Sequence, residues 1–339
     1  MLGFESRSQI DKFGERLAGM AIPSESDLQQ LQTLRMVYDE PMASVAQIVA
    51  EKLGLDATSR LKTVNTIVEK LKRERTRLST MQDIAGLRIV KDVNLAEQDV
   101  ISRKIADVFA STKISDRRQR PSFGYRAVHV IVKLGDCFIE VQVRTYLQDL
   151  WAQGFEKVAD RIGRGIRYGA FPTAADERSR VAALMEISRE IANVEQNIDG
   201  LRAHEIDEQY LSLHNQHQTQ KDRLRIRLGE DQVVIDAERA RHELPAAIVP
   251  PGMEDLVEEH LVEERSRSRY FLVVYNRREG RLLEIQDYQR NERERALKDR
   301  FSRELKERAD PDVEVVLLGA ESREALGKTH ARYFKPLLR

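Results

Sequence analysis

The chain is poor in the residues on which many familiar chemistries depend. Among its 339 residues there is one cysteine, Cys137, which excludes a disulfide framework and a cysteine-built zinc site. No histidine precedes His129, so residues 1–128 cannot supply the imidazole ligands of a histidine–aspartate metal phosphohydrolase. No Gly-x-x-x-x-Gly-Lys-Ser/Thr segment occurs, which removes the P-loop enzymes. No apolar run approaches the ~18 residues of a spanning helix, and the first residues lack the apolar core of a signal peptide. A soluble, cytoplasmic chain with no membrane partner is the expectation. Aromatic residues make up 6% of the chain and charged ones 33%, a balance that favours much exposed helix. Lys+Arg and Asp+Glu both number 56, so any functional charge must come from local asymmetry.

What is present centres on a hairpin. Ala127–Lys133 and Cys137–Arg144 alternate as two strands around Gly135-Asp136, a two-residue turn signal. Side chains alternate faces along a strand, so Glu140, Gln142 and Arg144 share one face, while Ile139, Val141 and Val143 fill the other. A two-residue turn sets His129 opposite Gln142, and a slip of one residue would send His129 to the apolar side. Polar groups converging on one face of an apolar hairpin are costly for a core and useful for a site.

Upstream, Arg60–Arg77 reads as a basic helix: Arg60, Lys62, Lys70, Lys72, Arg73, Arg75 and Arg77 outnumber Glu69 and Glu74, over an apolar stripe of Val64, Ile67, Val68 and Leu71. Charge alone suits a solvated face; the functional reading is polyphosphate binding. Asp83 precedes a strand at Leu87–Val90 and a helix near Leu95–Ala110. Alone it could cap a turn, but with Glu140 it gives the two carboxylates of a magnesium–nucleotide site. Lys113–Arg126, with Pro121 and Gly124, reads as a cationic loop fit to clamp phosphate or nucleic acid.

The remaining segments frame this centre. Residues 1–50 are helical, with Pro23 and Pro41 as breaks. Tyr146–Asp160 is a helix whose Trp151, Phe155 and Val158 face the core. Leu184, Ile187, Ile191, Val194, Ile198 and Leu201 form a short heptad seam, suited to packing against Glu205–Leu228. Residues 229–265 read as a connector. Strands at Tyr270–Asn276, Arg281–Asp287 and Val313–Leu318, with helices at Asn291–Ala309 and Ser322–Tyr333, make a C-terminal ββαβα module. The length suggests two or three domains, and the chain divides into N-terminal helices at 1–50, a central domain at 51–170, a helical hairpin at 171–228, a connector at 229–265 and a C-terminal module at 266–339.

The ordered pieces Arg60-x-Lys62-x-x-x-Thr66-Ile67-x-x-Lys70, Asp83-x-x-Gly86-x-Arg88, Gly124-Tyr125-Arg126-x-x-His129 and Glu140-x-Gln142-x-Arg144-Thr145 together resemble the synthetase domain of the RelA/SpoT family. The resemblance implies an α+β fold, a nucleotidyltransferase-like mixed sheet flanked by helices. It implies transfer of the β,γ-pyrophosphate of ATP to the ribose 3′-hydroxyl of GDP or GTP, making (p)ppGpp, without a hydrolase. By motif, Asp83 and Glu140 would hold Mg²⁺, and Glu140 would help to deprotonate the acceptor. Arg60 and Arg88 would sandwich adenine; Lys62, Thr66 and Lys70 would bind the ATP phosphates. Tyr125 would stack on the acceptor base, with Arg120 and Arg126 beside it, while His129, Gln142 and Arg144 would position the reacting groups.

The more telling departures fall on the acceptor side. Ala127 and Thr66 stand where serine is common, and Arg120-Pro-Ser-Phe-Gly-Tyr125 lacks the usual Lys and Asn of that loop. The family's His-x-x-Tyr-Lys helix end is replaced by Trp151–Asp160 and Arg164-Gly-Ile-Arg-Tyr168. A second reading is therefore pyrophosphorylation of the 3′-CCA end of tRNA, as in toxic family members. A third is a catalytically silent nucleotide-binding regulator, against which Asp83 and Glu140 speak. The helical insert and the C-terminal module are the surfaces that would hold a second copy or a protein partner.

Overall fold

The computed structural model of the chain describes residues 4, 6–20, 23–202, 220, 223–224 and 269–334. The expected partner helix Glu205–Leu228, but for residues 220 and 223–224, and the connector 229–265 lie outside the described residues. Three helices open the chain: α1 (Arg7–Gly19), α2 (Glu25–Val37) and α3 (Asp39–Leu53). Ser24 and Asp27 close a reciprocal capping box at the start of α2, which satisfies two amides that the helix cannot bond itself. Pro41, expected as a break, sits in the first turn of α3, where a missing N–H costs nothing.

The basic stretch at Arg60 corrects the sequence expectation. Thr58–Leu61 is a strand, β1, and the helix α4 runs only from Val64 to Glu74. Thr63 decides the start, because its side chain accepts from the Thr66 amide as N-cap, in the extended conformation that a cap requires. Arg60 and Lys62 therefore precede the helix. Then come β2 (Ala85–Lys91), α5 (Leu95–Val108), β3 (Thr112–Asp116), β4 (Val128–Leu134), β5 (Cys137–Thr145), α6 (Tyr146–Ile162) and α7 (Ala175–Arg202). Strand β3 replaces the first part of the expected loop at Lys113. It is an edge strand, mostly exposed, so no apolar alternation marked it. The C-terminal part supplies β6 (Arg269–Asn276), β7 (Arg281–Tyr288), α8 (Arg293–Lys306), β8 (Val313–Ala320) and α9 (Arg323–Thr329).

The strands of the described residues join one mixed eight-stranded sheet in the order β3-β4-β5-β2-β1-β8-β6-β7. The C-terminal segment has the expected ββαβα order, yet its strands continue the central sheet. β8 lies antiparallel to β1, with Ser59 opposite Gly319 and Arg60 opposite Leu318. A short strand such as β1, left at an edge, would expose unpaired amides and carbonyls; β8 covers them.

The registers define the two faces. Arg60 pairs with Gly86, Gly86 with Glu140, Arg88 with Gln142 and His129 with Gln142, so Arg60, Arg88, Glu140, Gln142 and His129 share a face. On the opposite face Leu61, Leu87, Ile89, Val130, Val141, Val143, Leu272 and Leu317 pack in one core with α1–α5 and α8. On the first face, Leu318, Val316, Phe271 and Val273 meet Leu326 of α9 and Tyr333. α9 thus lies on the same side of the sheet as the polar residues.

Arg300 of α8 ties the two halves on the apolar side. It is fully buried and donates to the carbonyls of Leu61 (3.2 Å) and Lys62 (3.4 Å) and to Glu304 (3.1 Å). Glu304 also receives Arg35 of α2 at 2.7 Å. Removing one member of a buried charged network leaves the others unsatisfied, at a cost of about 3–5 kcal/mol. Arg300→Ala is expected to lower the unfolding free energy by that amount in urea denaturation followed by circular dichroism. A loss below about 1 kcal/mol, the scale of an exposed pair, would show that the network does not join the halves.

Candidate active site

The hairpin forms in the expected register, and its polar face carries a chain of contacts. His129 Nδ1 lies 2.9 Å from Glu140 Oε1, and Gln142 Nε2 donates to Glu140 Oε2 at 2.7 Å. Arg144 donates to Gln142 Oε1 at 2.9 Å, to Asp149 Oδ1 at 2.7 Å and to the Tyr125 hydroxyl at 3.1 Å. Tyr125 Oη in turn sits 2.9 Å from His129 Nε2. Side chains at alternate positions of one strand thus fix one another.

Burial opposes charge at these positions, and the partners overcome it. Burial works against the His129 imidazolium, yet Tyr125 and Glu140 raise its pKa to about 9. Burial pushes Glu140 up, but His129 and Gln142 hold it below the usual carboxylate range. At neutral pH the site therefore contains a protonated His129 against an ionised Glu140.

A second cluster lies where β2 begins. Lys62 Nζ and Lys70 Nζ reach Asp83 Oδ2 at 2.5 and 2.9 Å. Against the opposing pull of burial, the two ammonium groups lower Asp83 to about 2. Its other oxygen, Oδ1, is buried and has no hydrogen-bond partner. Asp83 also acts on Glu140, raising its pKa electrostatically. An orphaned carboxylate oxygen coupled to a second carboxylate suits a hard cation that takes its remaining ligands from phosphates and water. Among the described residues no group of three His, Cys, Asp or Glu side chains could hold a metal.

Other expected residues stand differently. Thr66 is buried, and its hydroxyl contacts Thr63 Oγ1 at 2.8 Å and the Thr63 carbonyl at 2.9 Å. Arg126 faces the scaffold, donating to Ser188 of α7 at 3.2 Å and to the Arg118 carbonyl. Arg120 is exposed. Between them, Phe123 adopts φ 50° and Gly124 φ 85°. A Cβ at Gly124 would fall 2.6 Å from Trp151, so both the left-handed backbone and the ring contact require glycine there.

Arg60 and Arg88 are met by the C-terminal segment. Arg60 donates to Glu314 of β8 at 3.2 Å, and Arg88 donates to the Thr329 carbonyl at 2.5 Å. Several further residues complete this region. Asp149, Gln153, Glu156 and Asp160 project from α6 at helical spacing, and Asp149 also lies 3.8 Å from Arg88. Burial opposes the charge on Glu156, but Arg332, Arg167, Arg88 and Arg144 hold its pKa well down. That polar stripe at i, i+4, i+7 and i+11 was the signal that could have revealed an acidic face. Glu314, His330 and Arg332 carried no comparable local mark.

Residues 59–160 match the family described as the region found in RelA / SpoT proteins. Residues 59–160 are a RelA/SpoT domain. It contains every site residue discussed from Arg60 to Arg144. The chain is similar to an uncharacterized protein of Mycobacterium tuberculosis, 48% identical over 118 residues, 34% of this chain and 43% of that one. It is also similar to a GTP pyrophosphokinase of Bacillus subtilis, 33% identical over 111 residues, 28% of this chain and 51% of that one. The chain thus spans about half, or less, of the length of the curated relatives it matches. A solved complex of the Type VI effector Tas1 and its immunity protein overlaps 64% of this chain and 98% of that chain at 14% identity and a TM-score of 0.31, too slight a likeness to carry an argument.

The state of His129 within this RelA/SpoT domain has a pH signature. Its folded pKa of about 9 exceeds the ordinary 6.5, so its stabilisation is complete below pH 6.5 and lost as pH rises through 9. Nuclear magnetic resonance titration of the His129 ring should give a midpoint near pH 9. Glu140→Gln should move that midpoint down. A midpoint near 6.5 in the unaltered protein would refute the imidazolium–carboxylate pair.

Proposed function

We propose that the chain is a pyrophosphokinase that moves the β,γ-pyrophosphate of ATP to the 3′-hydroxyl of a ribose, with GDP or GTP as acceptor and (p)ppGpp as product. The observation that carries this reading is the ionised Asp83–Glu140 pair set between two lysines and the polar hairpin face, within a RelA/SpoT domain. Transfer of this kind asks mainly for positioning and for neutralisation of phosphate charge.

In this reading Lys62 and Lys70 bind the ATP phosphates, and Arg60 and Arg88 clamp the adenine. Asp83 Oδ1 and Glu140 would hold Mg²⁺, which when bound would neutralise charge on the ATP phosphates. The ribose 3′-oxygen attacks the β-phosphorus, the bond from that phosphorus to the α–β bridging oxygen breaks, and AMP leaves. Glu140, ionised at neutral pH, accepts the hydroxyl proton. Its low pKa makes it a weak base, so the proton moves as the new O–P bond forms. His129 and Gln142 hold the carboxylate in place; Arg144 holds Gln142 and the Tyr125 hydroxyl. Tyr125 and the loop from Arg120 receive the acceptor base.

The second reading is the 3′ end of tRNA as acceptor. It rests on two exposed aromatics near the acceptor loop: Phe123, 39% exposed, and Phe171, 83% exposed. Phe123 faces Gly169, where an added Cβ would lie 2.6 Å from its ring. Phe123 lies three residues after Arg120, and an exposed ring in a basic loop suits stacking of single-stranded bases along a phosphate backbone.

Incubation with γ-³²P-ATP and either GDP/GTP or deacylated tRNA separates the readings by the labelled product. Glu140→Gln is expected to leave circular dichroism unchanged and to reduce transfer by about 10²–10³, the scale for loss of one electrostatic partner of a transition state. Near-normal turnover in that variant would discard the assignment of Glu140, and absence of label on either acceptor would discard the transferase reading.

A further inference from the structure

We propose that the turn Thr329–Tyr333 occupies the adenine position of the nucleotide site and must withdraw before ATP binds. The proposal rests on the reading above, in which Arg60 and Arg88 are the base clamp. Both arginines are engaged from the C-terminal segment: Arg60 by Glu314 at 3.2 Å and Arg88 by the Thr329 carbonyl at 2.5 Å. A purine entering between two guanidinium planes would have to displace the backbone at Thr329.

The residue that follows has the shape of the missing base. His330 is 5% exposed; it follows the residue whose carbonyl Arg88 holds, and both clamp arginines act on its ring electrostatically. Burial, with Arg88 and Arg60 adding to it, keeps the ring neutral at physiological pH. It lies nearly parallel to the Tyr333 ring, with 11° between planes and 6.3 Å between centroids. An uncharged, flat nitrogen heterocycle in the field of two arginines is what an adenine would present there.

The covering is held chiefly by charge. Arg332 reaches Glu314 at 2.5 Å, Asp160 at 3.1 Å and Glu156 at 3.4 Å. Gln153 adds a bond of 2.9 Å to the Lys328 carbonyl. Tyr333 contributes packing against Tyr275. Arg88 is the more covered clamp residue: its side chain is 12% exposed, against 25% for Arg60 and 22%, 20% and 20% for Lys62, Lys70 and Asp83 at the phosphate end. The segment therefore closes over Arg88, through the Thr329 carbonyl, and leaves the phosphate half accessible. Such a plug lowers apparent ATP affinity by the fraction of molecules in which it is withdrawn.

The test uses the full chain and isothermal titration of ATP in the presence of Mg²⁺. Arg332→Glu sets a further carboxylate among Glu314, Glu156 and Asp160 and should expel the turn, tightening ATP binding by about tenfold or more. Equal affinity in the two proteins, with Lys70→Ala weakening both, overturns the plug and leaves the nucleotide site standing. Binding by neither protein overturns the nucleotide-site reading and the plug with it. Amide exchange on the unaltered protein guards against a variant that misfolds. The His330 and Tyr333 amides donate to the Leu326 and His330 carbonyls, so saturating ATP should accelerate their exchange. Unchanged or slower exchange with ATP bound would overturn the proposal.

Discussion

The pairing of β8 with β1 is the contact on which the rest of the arrangement depends. Strand β1 is four residues long and carries Arg60 on its polar face. Closing its open side with a strand from the far end of the chain makes a single sheet of what would otherwise be two. The close passage at Gly319, where a Cβ would come within 2.2 Å of Ser59 Oγ, keeps the strands in register. Because β8 leads directly into α9, the same pairing delivers Thr329 and His330 to the polar face. Arg300 secures the junction from the apolar side by bonding to carbonyls at the end of β1.

Electrostatics divide the polar face into three parts. The Asp83 cluster balances two ammonium groups with one carboxylate. The hairpin balances His129 with Glu140 and Arg144 with Asp149. The third part sets Arg60, Arg88 and Arg332 against Glu314, Glu156 and Asp160. Burial disfavours the charges on Asp83, His129, Glu140 and Glu156, and pairing outweighs it at each. Free carboxylate capacity survives at Asp83 Oδ1, in the middle of the functional surface.

Sequence patterns carried the hairpin, its register and the helices from Leu95 and Tyr146, because alternation and capping residues are local signals. His129 opposite Gln142 followed from the turn length alone. Less was legible at Arg60, where a run of basic residues spans a strand and a helix and charge has no period of its own. Strand β3 was missed because an edge strand need not alternate. The C-terminal strands were visible as strands, but their place in the sheet was not: the β1–β8 pairing joins residues far apart in sequence, and no spacing rule reports it. The same holds for the site. Glu140 and Asp83 stood out through motif and chemistry, whereas Glu314, His330 and Arg332 reach the polar face only through the tertiary fold.

The loop before Tyr125, proposed to receive the acceptor, shows a different kind of economy. Arg118, at its start, bonds Asp99 at 2.5 Å and Gln98 at 3.1 Å on α5. At its other end the Gly124 carbonyl accepts from Ser188 Oγ at 2.5 Å, and Arg126 meets the same serine. With both ends moored to helices, the conformational entropy of the segment before Tyr125 is surrendered when the chain folds. On the proposed function, an arriving acceptor would meet a Tyr125 already oriented, so ordering of this loop would take little from its binding free energy. The segment that could select among acceptors is thereby reduced to the few residues around Pro121 and Phe123.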